Sequence, residues 1–371
     1  MDAAERAAWL RLLLTPGLGA RTARELLAAF GLPQSIFDAA PAALARAVPE
    51  ALARTLAAPP ERAVAAAIDA AEVWLAGASD RFLLTLADAD YPPLLLASAD
   101  PPPVLFGAGR RELLALPALA IVGSRSATRQ GEANASAFAH TLAHAGLTVV
   151  SGLAAGIDAA AHRGALRAAD EGAPGCTIAV VGTGIDVVYP AQHRDLAGRI
   201  CHRGLLLSEF ALGTPPLPHN FPRRNRIIAA LARGVLVVEA ALRSGSLITA
   251  RLAAELGREV FAIPGSIHSP TAKGCHRLIK EGAKLVESAS DILEELRVPA
   301  AARAATVAPS AQDLPPALTE LLDHIGHDPV DLDSLAARSG RDTGRLTAEL
   351  FELELAQYVE RLPGNRYQRL R

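Results

Sequence analysis

The chain has 371 residues and a mass of 38.6 kDa, enough for two or three domains. Half of its residues are apolar and 4% are aromatic, which excludes a disordered or collagen-like chain and disfavours a function built on rows of stacked rings. The net charge of -2 hides an asymmetry: residues 101–298 carry 21 Lys or Arg against 16 acids, while the segments on either side are acidic, so an anionic partner is expected at the middle of the chain.

In chain order, residues 1–85 are rich in Ala, Leu and Arg at helical spacing, as in Ala23–Phe30 and Ala63–Leu75, with breaks at Pro33, Pro41 and Pro59-Pro60. Asp2 and Glu5 give the N-terminus the wrong charge for a secretory signal. No uncharged apolar run approaches the roughly 20 residues that span a bilayer. A soluble, cytoplasmic protein with no membrane partner is therefore expected. Cys176, Cys201 and Cys275 have no CxxC spacing, so neither a disulfide framework nor a zinc site is implied.

A Pro-rich joint, Tyr91-Pro92-Pro93 and Pro101-Pro102-Pro103, leads into a core assigned to residues 86–298. Here short apolar runs alternate with Gly-containing turns and helical stretches. The runs are Ala118–Val122, Leu147–Val150, Thr177–Val181, Leu205–Leu207, Val235–Val238, Glu259–Ile263 and a shorter one near Lys284–Glu287; Thr128–Ala145 and Ser246–Leu256 are two of the helices. Apolar runs without alternation, separated by helices, predict a mainly parallel sheet buried on both faces. Right-handed crossovers make it a doubly wound, Rossmann-like α/β fold whose strand order is left open. Residues 299–315, rich in Ala and Pro without periodicity, read as a flexible linker. Residues 316–371 read as helices at Ala317–Ile325, Ser334–Arg338 and Asp342–Ala356. A hairpin follows around Pro363-Gly364-Asn365, which is the order of a winged helix.

In a doubly wound sheet, ligands lie beyond the carboxyl ends of the strands. Those ends carry Gly123-Ser124-Arg125, Ser151-Gly152-Leu153-Ala154-Ala155-Gly156, Gly182-Thr183-Gly184 and Arg243-Ser244-Gly245-Ser246. Glycine admits close approach of backbone to ligand, and helix N-termini present unpaired N–H groups, so several such loops side by side form an anion-binding rim. Each glycine alone is equally well a tight turn. No GxGxxG, P-loop, HExxH or GxSxG is present, so neither a cofactor nor a metal is expected. Asp158, just inside a helix start, reads as a cap before a general base. Glu239, at a strand end, is either a catalytic carboxylate or a partner for a nearby Arg or amide. The densest basic element is Phe221-Pro222-Arg223-Arg224-Asn225-Arg226. Arginines at a helix N-terminus oppose the dipole, so an anionic ligand or carboxylate partners are required. His140 and His144 form an i, i+4 pair with no third ligand in sight, and surface or packing roles are expected for them.

Ile121-Val122-Gly123-Ser124-Arg125, Val150 to Asp158, Asn220 to Ile228, Glu239 to Ala250 and Gly257 to Gly265, together with the Pro-rich joint, resemble the DNA-processing protein A (DprA/Smf) family over roughly residues 90–290. The flanks look like that family's additions, a small helical domain and a winged helix; Pro16-Gly17-Leu18-Gly19 looks like a helix-hairpin-helix turn. The resemblance implies a non-enzymatic dimer that binds single-stranded DNA, protects it during natural transformation and delivers it to the RecA recombinase. It places phosphate contacts at Gly123, Ser124, Arg125, Ser151, Gly152 and Gly156, with Arg223, Arg224, Asn225 and Arg226 beside them and Arg243, Ser244 and Gly245 on the neighbouring loop. After Tyr189-Pro190 the family often has a basic residue; here it is Ala191, with His193 or Arg194 able to compensate. Two alternatives stay open, a phosphoribohydrolase-type enzyme using Glu239 and a regulator reading duplex DNA through the winged helix. The acids Asp342, Glu349, Glu352 and Glu354 on the recognition helix oppose the latter.

Overall fold

The structure, a computed structural model, describes residues 1–298, 314–326, 328–356 and 358–370. The predicted linker 299–315, apart from its last two residues, lies outside them.

Six helices open the chain: α1 (Ala3–Leu14), α2 (Ala20–Phe30), α3 (Pro33–Phe37), α4 (Pro41–Leu44), α5 (Glu50–Ala57) and α6 (Arg62–Ala76). Asp2 caps α1 by accepting the Glu5 N–H at 2.8 Å, and Gly31, at φ +84°, ends α2. Their apolar faces meet at Trp9, Leu10, Leu26 and Leu56, all at most 1% exposed. That cluster runs without a break into the edge of the central sheet, where Trp74 lies edge-on to Phe106 at 5.9 Å.

The sheet has nine strands: β1 (Arg81–Thr85), β2 (Val104–Gly109), β3 (Ala118–Val122), β4 (Thr148–Ser151), β5 (Thr177–Val180), β6 (Leu205–Ser208), β7 (Gly234–Val237), β8 (Glu259–Ala262) and β9 (Lys284–Leu285). Their order is β1-β2-β6-β5-β4-β3-β7-β8-β9. Pairing from β6 through β9 is parallel, and β3 to β7 are buried throughout, as non-alternating apolar runs require. Two strands escaped the sequence reading. β1 and β2 pair antiparallel with each other, and β2 pairs antiparallel with β6. They flank the Pro-rich joint, whose composition obscures short edge strands. β1 thus belongs to the sheet, and the last helix before it, α6, ends at Ala76.

The helices on the sheet include α7 (Pro93–Leu96), α8 (Arg129–His144), α9 (Ile157–Asp170), α10 (Arg194–Arg203), α11 (Asn220–Leu231), α12 (Ser246–Glu255), α13 (Lys273–Lys280) and α14 (Ala289–Glu295). The chain winds outward from β3 to β6, then returns to β3's other side as β7. The carboxyl ends of β3 and β7 are thus the topological switch point, where a crevice must open.

The C-terminal module holds helices Pro316–Ile325, Leu332–Ser339 and Thr343–Leu355, then strands Val359–Leu362 and Arg366–Arg369. A two-residue strand, Val330–Asp331, pairs with the last one and is too short to read from sequence. Leu321, Leu335, Leu346 and Leu353 are fully buried in a core of the module's own. Asp342 caps the third helix, accepting the Gly344 and Arg345 N–H groups at 3.0 Å.

Candidate nucleic-acid interface

An open cleft of about 720 Å³ sits at the switch point. The loop after β3 forms one wall. Ser124 donates its backbone N–H to the Glu239 carbonyl (2.8 Å) just beyond β7, which ties the two loops together. Arg125 is exposed, its guanidinium 5.4 Å above the Phe221 ring. Glu239 accepts the Thr128 N–H (3.0 Å) and the Thr128 hydroxyl (2.6 Å). It therefore holds the start of α8 and has the amide-partner role weighed for it above.

The loop after β4 is scaffold beneath this wall. Ser151 is buried and donates its hydroxyl to the Ile121 carbonyl (2.6 Å). Gly156 has φ +73°, and a Cβ there would overlap the Ser124 carbonyl, so glycine locks this loop against the first. Gly152 donates its N–H to Asp158 (3.1 Å), and a Cβ on Gly152 would overlap the Arg224 guanidinium. Ser151, Gly152 and Gly156 thus frame the cleft from below and do not line it.

The arginines of α11 diverge. Arg224 is 4% exposed; it donates to the Val180 carbonyl and lies in the field of Asp158, while its buried Nε makes no hydrogen bond among the described residues. Burial pushes its pKa down to about 10. Burial also raises that of Asp158, against the pull of Arg224 and the Gly152 and Ala154 amides. Asp158 holds loop amides from the first turn of α9, a capping role of the kind expected. Arg226 turns away from the cleft, donating to the Asp100 carbonyl (2.7 Å) and pairing with Glu209 and with Asp100 (3.2 Å). Arg223 is exposed, over the Phe210 ring at 5.5 Å. The charge mismatch at this helix start is thus met by the Glu209 and Asp100 carboxylates at Arg226 and by the field of Asp158 at Arg224, while Arg223 feels Glu209 without an ion pair among the described residues.

Asn225, Arg243, Ser244 and Gly245 line the cleft with Gly123, Ser124 and Arg125. Arg125, Arg223 and Arg243 form no ion pair among the described residues. Tyr189, 44% exposed, meets Phe221 at 5.6 Å between centroids and adds an aromatic side. Neither ring was singled out as a site residue, because β5 and α11 bring them together only in the fold. His193 is buried, its Nδ1 2.9 Å from the Leu153 carbonyl, so it cannot take the place of a basic residue at Ala191. Arg194 is exposed.

Beneath the β4 loop, His162 is enclosed. Its Nδ1–H donates to Thr177 Oγ1 (2.7 Å), which donates to the Val149 carbonyl (2.7 Å), and its Nε2 accepts the Leu153 N–H (3.2 Å). Burial first, then the charge of Arg224, push its pKa down to about 3. The unfolded chain takes up this proton near 6.5, so the contribution to stability is complete above that pH and is lost as pH falls toward 3. Passing from pH 7 to pH 5 should cost about 2 kcal/mol through His162 alone. Urea unfolding at both pH values checks this, and His162→Gln should flatten the pH dependence.

A model of the DNA recombination-mediator protein A family matches residues 82–297, and one of the DprA winged helix domain matches residues 303–365. The chain is 44% identical to Protein Smf of Escherichia coli K12 over 312 residues, 82% of this chain and 81% of the relative. It is 49% identical to the DNA processing protein DprA of Streptococcus pneumoniae over 211 residues, 57% of this chain and 73% of that one. The X-ray structure of DNA processing protein A from Streptococcus pneumoniae superposes with a TM-score of 0.64 at 38% identity, covering 78% of this chain and 97% of the other. DNA processing protein A of Helicobacter pylori, solved for its single-stranded DNA binding mode, superposes at 0.52 with 29% identity, covering 58% and 95%. The family description is that of a recombination mediator and the named relatives are DNA-processing proteins, which sets the phosphoribohydrolase alternative aside. With both its core and its terminal module matched and the kinship reaching across most of its length, the chain belongs to the DprA/Smf family of DNA recombination mediators.

Proposed function

We propose that the switch-point cleft binds the phosphate backbone of single-stranded DNA. The observation that carries this reading is a cleft lined by two exposed arginines that form no ion pair among the described residues, Arg125 and Arg243, with the buried Arg224 beneath them and the exposed Arg223 on the same helix start as Asn225. Two guanidinium groups on separate loops, with a third exposed on the neighbouring helix start, match a chain of anions better than a single nucleotide. Gly123, Ser124, Asn225, Ser244 and Gly245 supply close backbone and polar contacts between them. The Tyr189–Phe221 pair offers one stacking place to a splayed base, which a duplex does not present. The single-strand binding studied in the Helicobacter pylori neighbour and the mediator description of the family support the same reading. We extend it to a homodimer that passes its DNA to RecA; kinship supports this part, and sedimentation with RecA filament-growth assays tests it.

Fluorescence anisotropy with an oligothymidylate and with a duplex, over a series of salt concentrations, tests the DNA reading. Single strands should bind more tightly, with a log–log salt slope of about 0.7 per phosphate neutralised. Equal binding of duplex, or a slope near zero, would overturn it.

The winged helix is an accessory in this scheme. On its third helix Arg345 is taken by Glu349 (2.9 Å), and Glu352 and Glu354 are exposed. A chain ending at Val298 should keep most of the single-strand affinity. A hundredfold loss, about 2.7 kcal/mol, would make the module a principal DNA site.

A further inference from the structure

The sequence shows His140 and His144 one turn apart with no third ligand; the fold supplies one. Glu171 caps the C-terminus of α9, 27 residues beyond His144, and packing of α9 on α8 brings its carboxylate onto both rings. His140 Nε2 lies 2.7 Å and His144 Nε2 3.0 Å from the same oxygen, Glu171 Oε2. The three donor atoms lie within 4.8 Å of one another, and this is the one such group among the described residues.

We propose that His140, His144 and Glu171 form a binding site for a borderline divalent transition ion of the Zn²⁺ type. Two imidazole nitrogens and one carboxylate oxygen match such ions, whereas Mg²⁺ and Ca²⁺ take oxygen donors. A tetrahedral ion needs donors about 3.3 Å apart; the two nitrogen–oxygen separations of 2.7 and 3.0 Å would widen slightly, and both histidines already aim Nε2 at one oxygen. The field favours a cation as well. α8 ends at His144 and α9 at Asp170, so the negative ends of two helix dipoles converge there. Binding requires each Nε2 to present its lone pair to the ion, with the ring proton on Nδ1. Arg167, 4.0 Å from the other Glu171 oxygen, is the nearby opposing charge. Asp170 is held by Arg199 (3.0 Å) and Arg203 (3.1 Å), so the fourth position falls to water.

The site lies at the far end of α8 from Arg125, about 24 Å along a helix of 16 residues. A bound ion would staple α8 to α9, the helices whose starts carry the Gly123 and Gly156 loops, without touching the cleft.

The test uses the full chain with Co²⁺ as a spectroscopic probe. One equivalent should give visible d–d absorption without thiolate charge-transfer bands, and Zn²⁺ should displace it. His144→Ala and Glu171→Gln should each weaken binding at least tenfold. Zn²⁺ should raise the melting temperature of the parent chain and leave these variants unmoved, with circular dichroism of the metal-free proteins showing that they fold. No d–d absorption, undiminished binding in both folded variants, or charge-transfer bands that place the ion on a cysteine would overturn the proposal.

Discussion

Replacing Arg224 by alanine should destabilise the protein by about 2 to 4 kcal/mol, from the lost hydrogen bond to the Val180 carbonyl, the emptied volume and the positive charge removed from beside the buried Asp158. Asp158, 6% exposed, would keep the Gly152 and Ala154 amides but lose its counter-charge, and its burial already disfavours the ionised form. The Val180 carbonyl would lose its donor, and the space under Gly152 would empty. The paired change Arg224→Met with Asp158→Asn should cost clearly less than the two single changes added together. It removes both charges while filling the volume. Urea unfolding of the four proteins at pH 7 gives the coupling directly. Additive costs would mean that Arg224 and Asp158 do not act as a pair.

The largest effect on DNA binding should come from Arg125→Ala combined with Arg243→Ala. Losing two phosphate contacts should lower the log–log salt slope by about 1.4, and at 0.15 M salt this corresponds to roughly a tenfold loss of affinity. Stability should barely change, because both side chains are exposed and form no ion pair among the described residues. Arg226→Ala is the informative contrast. Glu209 and Asp100 already neutralise that guanidinium, so its removal should lower stability and leave the salt slope alone. Anisotropy titrations across a salt series, with unfolding curves for the same proteins, separate the two outcomes. A slope unchanged in the Arg125/Arg243 double variant would remove this cleft as the binding site.

Much of this was legible in the chain itself. Unbroken apolar runs such as Ala118–Val122 and Thr177–Val180 can be stable only as strands covered on both faces, so the parallel sheet followed from local pattern. Asp342, Gly340 and the Pro363-Gly364-Asn365 turn punctuate the winged helix by backbone chemistry that acts over three or four residues. Glycine loops at strand ends marked the side of the sheet on which the cleft opens. Other features rest on distance along the chain. Strand order decides that the Arg125 and Arg243 loops are neighbours, and nothing local in either loop encodes that adjacency. Arg223, Arg224 and Arg226 look equivalent as sequence. Their fates divide because Asp158, Glu209 and Asp100 arrive from other elements, and a buried guanidinium requires a partner that an exposed one does not. Glu171 reaches His140 and His144 for the same reason: helix periodicity aligns the pair within α8, but only packing of α9 on α8 brings the carboxylate to them.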